Sequence, residues 1–213
     1  MKSSVLLFSL LLLVTVFSCQ EQKEASCCTK PATATATKST VKTVSGTLPD
    51  MSLYQLSSEW QNQAGITQPL AQLKGKVQLV AMVYTHCRYA CPRIIADLKR
   101  IESSLDEYKR DDVGIVLITM DPDRDTPEKL RQFASANRLD PSRWTLLTSS
   151  HDNIRELAAL LNMKYKTELD GEISHANIIS VLTTTGELVH QQEGLGLDPD
   201  ETIKSIKAQL QRI

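Results

Sequence analysis

No stretch of this sequence is basic enough to neutralise a row of phosphates. Its 24 Lys and Arg are scattered among 25 Asp and Glu, for a formal net charge of −1, and that balance excludes a nucleic-acid-binding surface of the usual electrostatic kind. There is no internal repeat, which excludes a solenoid or a propeller. The haem-attachment pattern C-x-x-C-H is missing, and so is the C-x-x-C spacing of thioredoxin redox centres. The one long apolar run, VLLFSLLLLVTVF near the N-terminus, is short of the about 20 residues that cross a bilayer as a helix.

That run fits a targeting segment over residues 1–18. A single cation, Lys2, precedes it, and Ser18 and Cys19 follow it, a small residue before cysteine as at a bacterial lipoprotein cleavage site. Cleavage there makes Cys19 a lipidated N-terminus; the alternative is an uncleaved signal anchor. Either way the chain is tethered to a membrane, with its folded part in the periplasm or another extracytoplasmic, disulfide-permissive space. Residues 19–46 are rich in Thr, Ala, Lys and Ser and nearly devoid of large apolar side chains, which reads as a flexible stalk. Cys27 and Cys28 lie in it; a bond between adjacent cysteines is strained, and metal binding, a bridge to another chain and no role all stay open.

The folded domain is expected over 47–213. VQLVAMVY (77–84) and GIVLITM (114–120) are almost continuously apolar, as strands covered on both faces must be. After the first, Pro92 suits the opening turn of a helix reaching about residue 109, with Ile94, Ile95, Leu98, Ile101, Leu105 and Tyr108 inward. After the second, Asp125 or Thr126 can cap a helix that has Pro127 in its first turn. A short strand over 144–147 and a helix over 151–163 follow. A strand pair over 177–184 and 187–192, joined by a Thr185-Gly186 turn, and a last helix opening at Asp198, Pro199 and Asp200 complete the chain. The order is that of an α/β, thioredoxin-like fold, and residues 47–76, with a hairpin around Gly65, read as an added N-terminal strand layer.

Where the first strand ends, the sequence is VYTHCRYACPR (83–93). With Pro92 at the first helical position, Cys91 stands at a helix N-terminus and Cys87 in the turn leading to it. This is an exposed, electropositive place where backbone N–H groups and the helix dipole favour thiolate. His86 is either a further influence on that thiolate or a surface residue. Three residues between the cysteines correspond to one helical turn, with α-carbons roughly 6 Å apart, so the pair can close a disulfide or clamp one ion. His175 stands in the loop EISHAN just before a strand, the corner where thioredoxin-like oxidoreductases hold a cis-proline facing their cysteines; no proline lies nearby. Two thiolates and an imidazole suit Cu(I) or Cu(II) first and Zn(II) second.

The remaining candidates read as structural. Asp121, Asp123 and Asp125 in DPDRDTP are hard ligands suited to Mg or Ca and are better explained by turn formation and helix capping, with partner steering as a further use. Met82, Met120 and Met163 fall on apolar elements, and Trp60 and Tyr84 read as packing residues. A peroxidase motif is not met, because the threonine and proline it needs do not stand at the right distance from the cysteine.

Together YTHCRYACP, DPDRDTP, the lone histidine before a strand and the lead-in LAQLKGKVQLVAM resemble the Sco/SenC family of membrane-tethered copper-binding proteins that assist cytochrome c oxidase assembly. The resemblance covers approximately 47–213. It implies copper, one ion per chain, held by Cys87, Cys91 and His175. It also implies a partner in the copper domain of cytochrome c oxidase subunit II, to which copper is delivered or whose cysteines are reduced. No acidic residue directly precedes His175, unlike in many members, which leaves another copper enzyme open as the client. Two functions of different class therefore stand side by side: a metallochaperone that turns over no substrate, and a thiol-disulfide oxidoreductase in which the redox pair Cys87 and Cys91 does the chemistry and His175 only tunes a thiolate.

Overall fold

The computed structural model describes residues 47–169 and 171–212. The expected signal segment, Cys19, the stalk and Cys27 and Cys28 lie outside the described residues, and among those described no helix is long and apolar enough to cross a membrane.

Strands β1 (Glu59–Asn62) and β2 (Thr67–Pro69) form the hairpin expected around Gly65. Gly65 takes φ +79°, a left-handed conformation that glycine adopts without a side-chain clash, and its N–H closes the turn on the Asn62 carbonyl at 2.8 Å. The two apolar runs become β3 (Val77–Val83) and β4 (Val113–Thr119), every residue of both buried. Helix α1 (Ala90–Ser103) joins them, and α2 (Pro127–Ala136) leads from β4 to β5 (Trp144–Thr148). After α3 (His151–Leu160) come two short strands, β6 (Tyr165–Thr167) and β7 (Ile173–His175), then β8 (Ile178–Leu182), β9 (Leu188–Glu193) and α4 (Asp200–Leu210).

One seven-stranded sheet carries the domain, in the order β2-β1-β5-β4-β3-β8-β9, and β6 and β7 pair separately. The central β3, β4 and β5 run parallel, while β8 is antiparallel to β3 and β9 to β8. This is the expected α/β, thioredoxin-like arrangement, with the added N-terminal strands present as the far edge of the same sheet through β1 against β5. Buried leucines, isoleucines and valines from both faces of β3 and β4, together with Trp60 and Trp144, make the core.

Helix boundaries differ from the sequence expectation at three points. Helix α1 begins at Ala90, so Pro92 is its third residue; proline is tolerated there because the first-turn N–H groups have no partner inside the helix. It stops at Ser103, where the hydroxyls of Ser103 and Ser104 both donate to the Arg100 carbonyl, a competing local bond that disfavours further turns. Leu105 and Tyr108 still pack inward, from the turns that follow. Helix α3 ends at Leu160 because Asn162 turns left-handed at φ 52° and the Met163 N–H returns to the Ala158 carbonyl at 2.8 Å.

Register is what brings the candidate site together. Val83 pairs with Thr119, so the turns after β3 and β4 leave the sheet side by side. Ala81 pairs with Ile179 in the antiparallel neighbour, so the chain entering β8 arrives level with the end of β3. Residues 84–91, 120–126 and 175–177 therefore meet at the carboxyl edge of the parallel strands, where open α/β sheets place their sites.

Candidate metal centre

The cysteine pair is built by the first turn of α1. Its N-cap residue, Tyr89, offers no side-chain cap. The sulfur of Cys87 does that work instead, accepting the Cys91 N–H at 3.3 Å, while the Cys87 N–H closes a turn on the Tyr84 carbonyl at 3.2 Å. Both cysteines are free thiols. They are not equally exposed: Cys87 is half-buried, and Cys91, expected at an exposed position, is 0% exposed beneath the turn. The reason is the earlier start of α1, which puts Cys91 on the inward-facing stripe with Ile94, Ile95 and Leu98.

Burial separates their acidities. For Cys87 burial pushes the pKa up, but the N–H groups of Cys91 and Tyr89 and the Cys91 thiol donate to its sulfur, the Tyr84 hydroxyl stands by as a donor shared with Glu172, and the net result is a thiol below its ordinary range. Cys91 is raised strongly, by burial first and then by its Cys87 and Asp125 neighbours, which outweigh one helpful backbone bond from Tyr84. Cys87 is thus the more readily ionised of the two and Cys91 the less.

His175 arrives from the other side. It ends strand β7, opposite Tyr165 of β6, where the sequence suggested a loop; three-residue strands are too short to leave a period in the sequence. The imidazole is half-buried, and burial lowers its pKa against a smaller opposing effect of the Ala176 carbonyl. Its Nδ1 lies 2.9 Å from that carbonyl. A carbonyl only accepts, so Nδ1 carries the hydrogen and Nε2 keeps its lone pair, the tautomer a metal ligand needs.

Tyr84 joins the two halves. Its ring meets the His175 imidazole edge-on, centroids 6.1 Å apart at 79°. Its hydroxyl donates to Glu172 Oε2 at 2.9 Å and also reaches Cys87. Burial, followed by these acceptors, raises its own pKa well above the ordinary phenol range. Tyr84, by sequence a packing residue, does pack, but buried phenols take a polar partner, and an apolar strand ending Val-Tyr before a cysteine turn is the available signal. The two thiols and the imidazole are not in contact as one cluster. Among the described residues the group of three His, Cys, Asp or Glu donors whose ligand atoms all lie within 4.8 Å of one another is His86, Asp121 and Asp125, and Cys87, Cys91 and His175 are not such a group.

That acidic group is occupied by protein donors. Asp125, fully buried, takes the Thr85 N–H at 2.9 Å and the hydroxyls of Thr85 and Thr119, with His86 Nδ1 at 4.0 Å. Asp121 holds the Arg124 guanidinium, whose other arm donates to the Gly171 carbonyl at 2.8 Å. The helix cap itself is Thr126, accepting from the Lys129 N–H at 3.3 Å. DPDRDTP thus makes the expected turn and cap, and in addition pins the cysteine turn through Thr85 and the β6–β7 hairpin through Gly171. Met82, Met120 and Met163 are buried in the core, as expected.

Two sulfurs and one imidazole nitrogen form a donor set for a soft or borderline ion, which copper fits and hard divalent cations do not. The fold and this edge define the class: a thioredoxin-like domain with a C-x3-C pair opening a helix and a histidine offered from a neighbouring hairpin. The SCO1/SenC family model matches residues 52–211, and the chain belongs to that family. It is 28% identical over 153 residues to the SCO1 protein homolog of Bacillus subtilis, covering 70% of this chain and 79% of that protein. A SCO1/SenC family lipoprotein from Bacillus anthracis superposes with a TM-score of 0.65 at 27% identity, over 71% of this chain and 91% of that one. ScoI of Arabidopsis thaliana, solved with copper bound, has a TM-score of 0.63 at 22% identity over 71% of this chain and 96% of that one, a likeness of fold.

Proposed function

We propose that this protein is a copper metallochaperone, holding one Cu(I) or Cu(II) ion per chain through Cys87, Cys91 and His175 and assisting copper-site assembly in cytochrome c oxidase subunit II. The observation that carries the reading is the arrival at one sheet edge of a thiolate-prone Cys87, a second thiol one helical turn on, and an imidazole whose Nε2 is free to accept. Copper is the cargo, and its thiolate and imidazole affinity is the chemistry it brings. The chain's own part is to ionise Cys87, to fix the tautomer of His175, and to let the β6–β7 hairpin close the last gap past Tyr84. Membership of the SCO1/SenC family and the copper-bound relative support this reading. A lipid on Cys19, after loss of residues 1–18, and a stalk over 19–46 would hold the domain at an extracytoplasmic membrane surface; the lipoprotein relative supports that tether.

One observation favours a second reading. The thiols differ in exposure and acidity in the sense a thiol-disulfide oxidoreductase needs, with an accessible attacking thiolate at Cys87 and a buried resolving thiol at Cys91. Cys87 would attack a partner disulfide and release one partner thiolate. Cys91 would then displace the second, leaving a Cys87–Cys91 disulfide and a partner reduced by two electrons.

Copper titration of the reduced full chain and of His175→Ala separates the two. Metallochaperone function predicts one equivalent bound by the wild type and an affinity lower by roughly a hundredfold or more in the variant, since even outer-shell changes cost tenfold to a hundredfold. Disulfide formation between Cys87 and Cys91 should be intact in both. Equal affinity in the two proteins would favour the oxidoreductase.

A further inference from the structure

The turn that carries the cysteines also carries charge that the protein itself does not use. Arg88 and Tyr89 lie between Cys87 and Cys91, and Arg93 follows two residues after. All three are exposed, Tyr89 at 87% of its surface. Among the described residues neither guanidinium makes an ion pair or a side-chain hydrogen bond, although 13 ion pairs are formed elsewhere among them. Tyr89 and Arg93 are four apart across the first turn of α1, which places them on one side of the helix. Asp97, one further turn along and the natural partner for Arg93, is turned aside to accept the Gly196 N–H at 2.8 Å.

Acids at the same edge face other partners, Asp121 a cation and the rest hydroxyl, amide or imidazole groups. Asp125 and Asp121 are held by the threonines and by Arg124, Asp123 lies 3.1 Å from His151 Nε2, and Glu172 accepts from Tyr84. On the histidine side Lys164, whose carbonyl takes the Ala176 N–H at 3.0 Å, is exposed and makes no ion pair among the described residues. Two guanidiniums without a carboxylate partner among the described residues thus stand beside an exposed aromatic ring, side-chain types enriched at the energetic centres of protein interfaces.

We propose that Arg88, Tyr89 and Arg93 form a docking patch that recognises an acidic face on the protein receiving the cargo of the Cys87–Cys91 turn. The proposal rests on the metallochaperone reading and names the chemistry of its partner: carboxylates for the two guanidiniums and a surface flat enough to cover Tyr89. A copper-accepting domain of that kind would be steered onto the cysteines by the same charges that flank them, and rim charges of this sort act mainly on the rate of association. Two arginines and a ring are too few for an anionic lipid surface, whose recognition takes clusters of four to eight cations.

The test compares the wild-type full chain in neutral detergent with Arg88→Gln/Arg93→Gln and Arg88→Lys/Arg93→Lys. The probes are the purified copper domain of the same organism's oxidase subunit II and phosphatidylserine vesicles. At low ionic strength the Gln double variant should associate with the copper domain about tenfold more slowly than wild type and with a flatter salt dependence, and the Lys variant should recover the rate. Tyr89→Ser should dissociate faster. Copper affinity should be the same in wild type and the Gln variant. Equal association rates in wild type and the Gln variant, no association of the wild type at any salt, or charge-dependent binding to the vesicles in place of the copper domain would each overturn the proposal. Failure of the underlying reading shows separately, as a wild-type chain that takes up no copper; failure of the patch leaves uptake normal and the rates equal.

Discussion

Cys87 and Cys91 are one helical turn apart, yet the fold treats them as different reagents. The half-buried sulfur of Cys87 collects hydrogen-bond donors that stabilise its thiolate, whereas Cys91 sits where a charge would be desolvated. Because the folded Cys87 thiol ionises below the pH at which a free thiol does, its thiolate fraction at pH 7 is higher and falls away only as pH drops through that lowered value. Cys91 should stay protonated well above pH 9. Iodoacetamide labelling followed by mass spectrometry at pH 7 should therefore modify Cys87 first and leave Cys91 largely untouched; preferential labelling of Cys91 would contradict the assignment. The Tyr84 hydroxyl, whose one hydrogen is shared with Glu172, is the weakest of the influences that lower Cys87. Tyr84→Phe removes it together with the bond to Glu172 at 2.9 Å, so it should slow Cys87 labelling at pH 7 and lower stability by about 1 kcal/mol in urea unfolding. An unchanged labelling rate would show that the hydroxyl serves packing alone. The cysteines and the histidine were legible as residue types at a telling spacing. The tyrosine was not, since an aromatic at the end of an apolar strand looks the same whether or not its hydroxyl has work to do.

At the scale of elements, long apolar runs announced themselves and short pairings did not. β3 and β4 are buried on both faces, so nothing but apolar side chains fits them and their sequence shows it. The three-residue β6 and β7 are held by the Tyr165–His175 register and by anchors from elsewhere in the chain, Arg124 on Gly171 and Tyr84 on Glu172. Such anchors have no periodic trace. The same holds for Asp125, which the sequence offered as a helix cap and the fold spends on the cysteine turn, accepting from Thr85 and Thr119 across the gap between β3 and β4. Asp125→Ala leaves the Thr85 N–H and the Thr119 hydroxyl without their acceptor, at a cost of about 2–4 kcal/mol. Urea denaturation should show that loss, and the cysteine turn should exchange its amide hydrogens faster. A loss under about 0.5 kcal/mol, the ordinary surface value, would mean the pin is dispensable.

For the whole molecule, the order of elements was readable and the meeting of its ends followed from register. Val83 against Thr119 and Ala81 against Ile179 bring three distant segments to one edge, and the sequence could state which segments but not how their side chains are spaced there. His175 rests against Tyr84 with its centroid 6.1 Å away, which makes closure of the β6–β7 hairpin the step on which the proposed centre depends. X-ray absorption at the copper edge of the loaded, reduced full chain, beside His175→Ala, reads that step most directly. Two sulfur scatterers and one imidazole nitrogen in the wild type, with the nitrogen lost from the variant, is the result expected. An identical ligand set in both proteins would mean that the imidazole never reaches the cysteines.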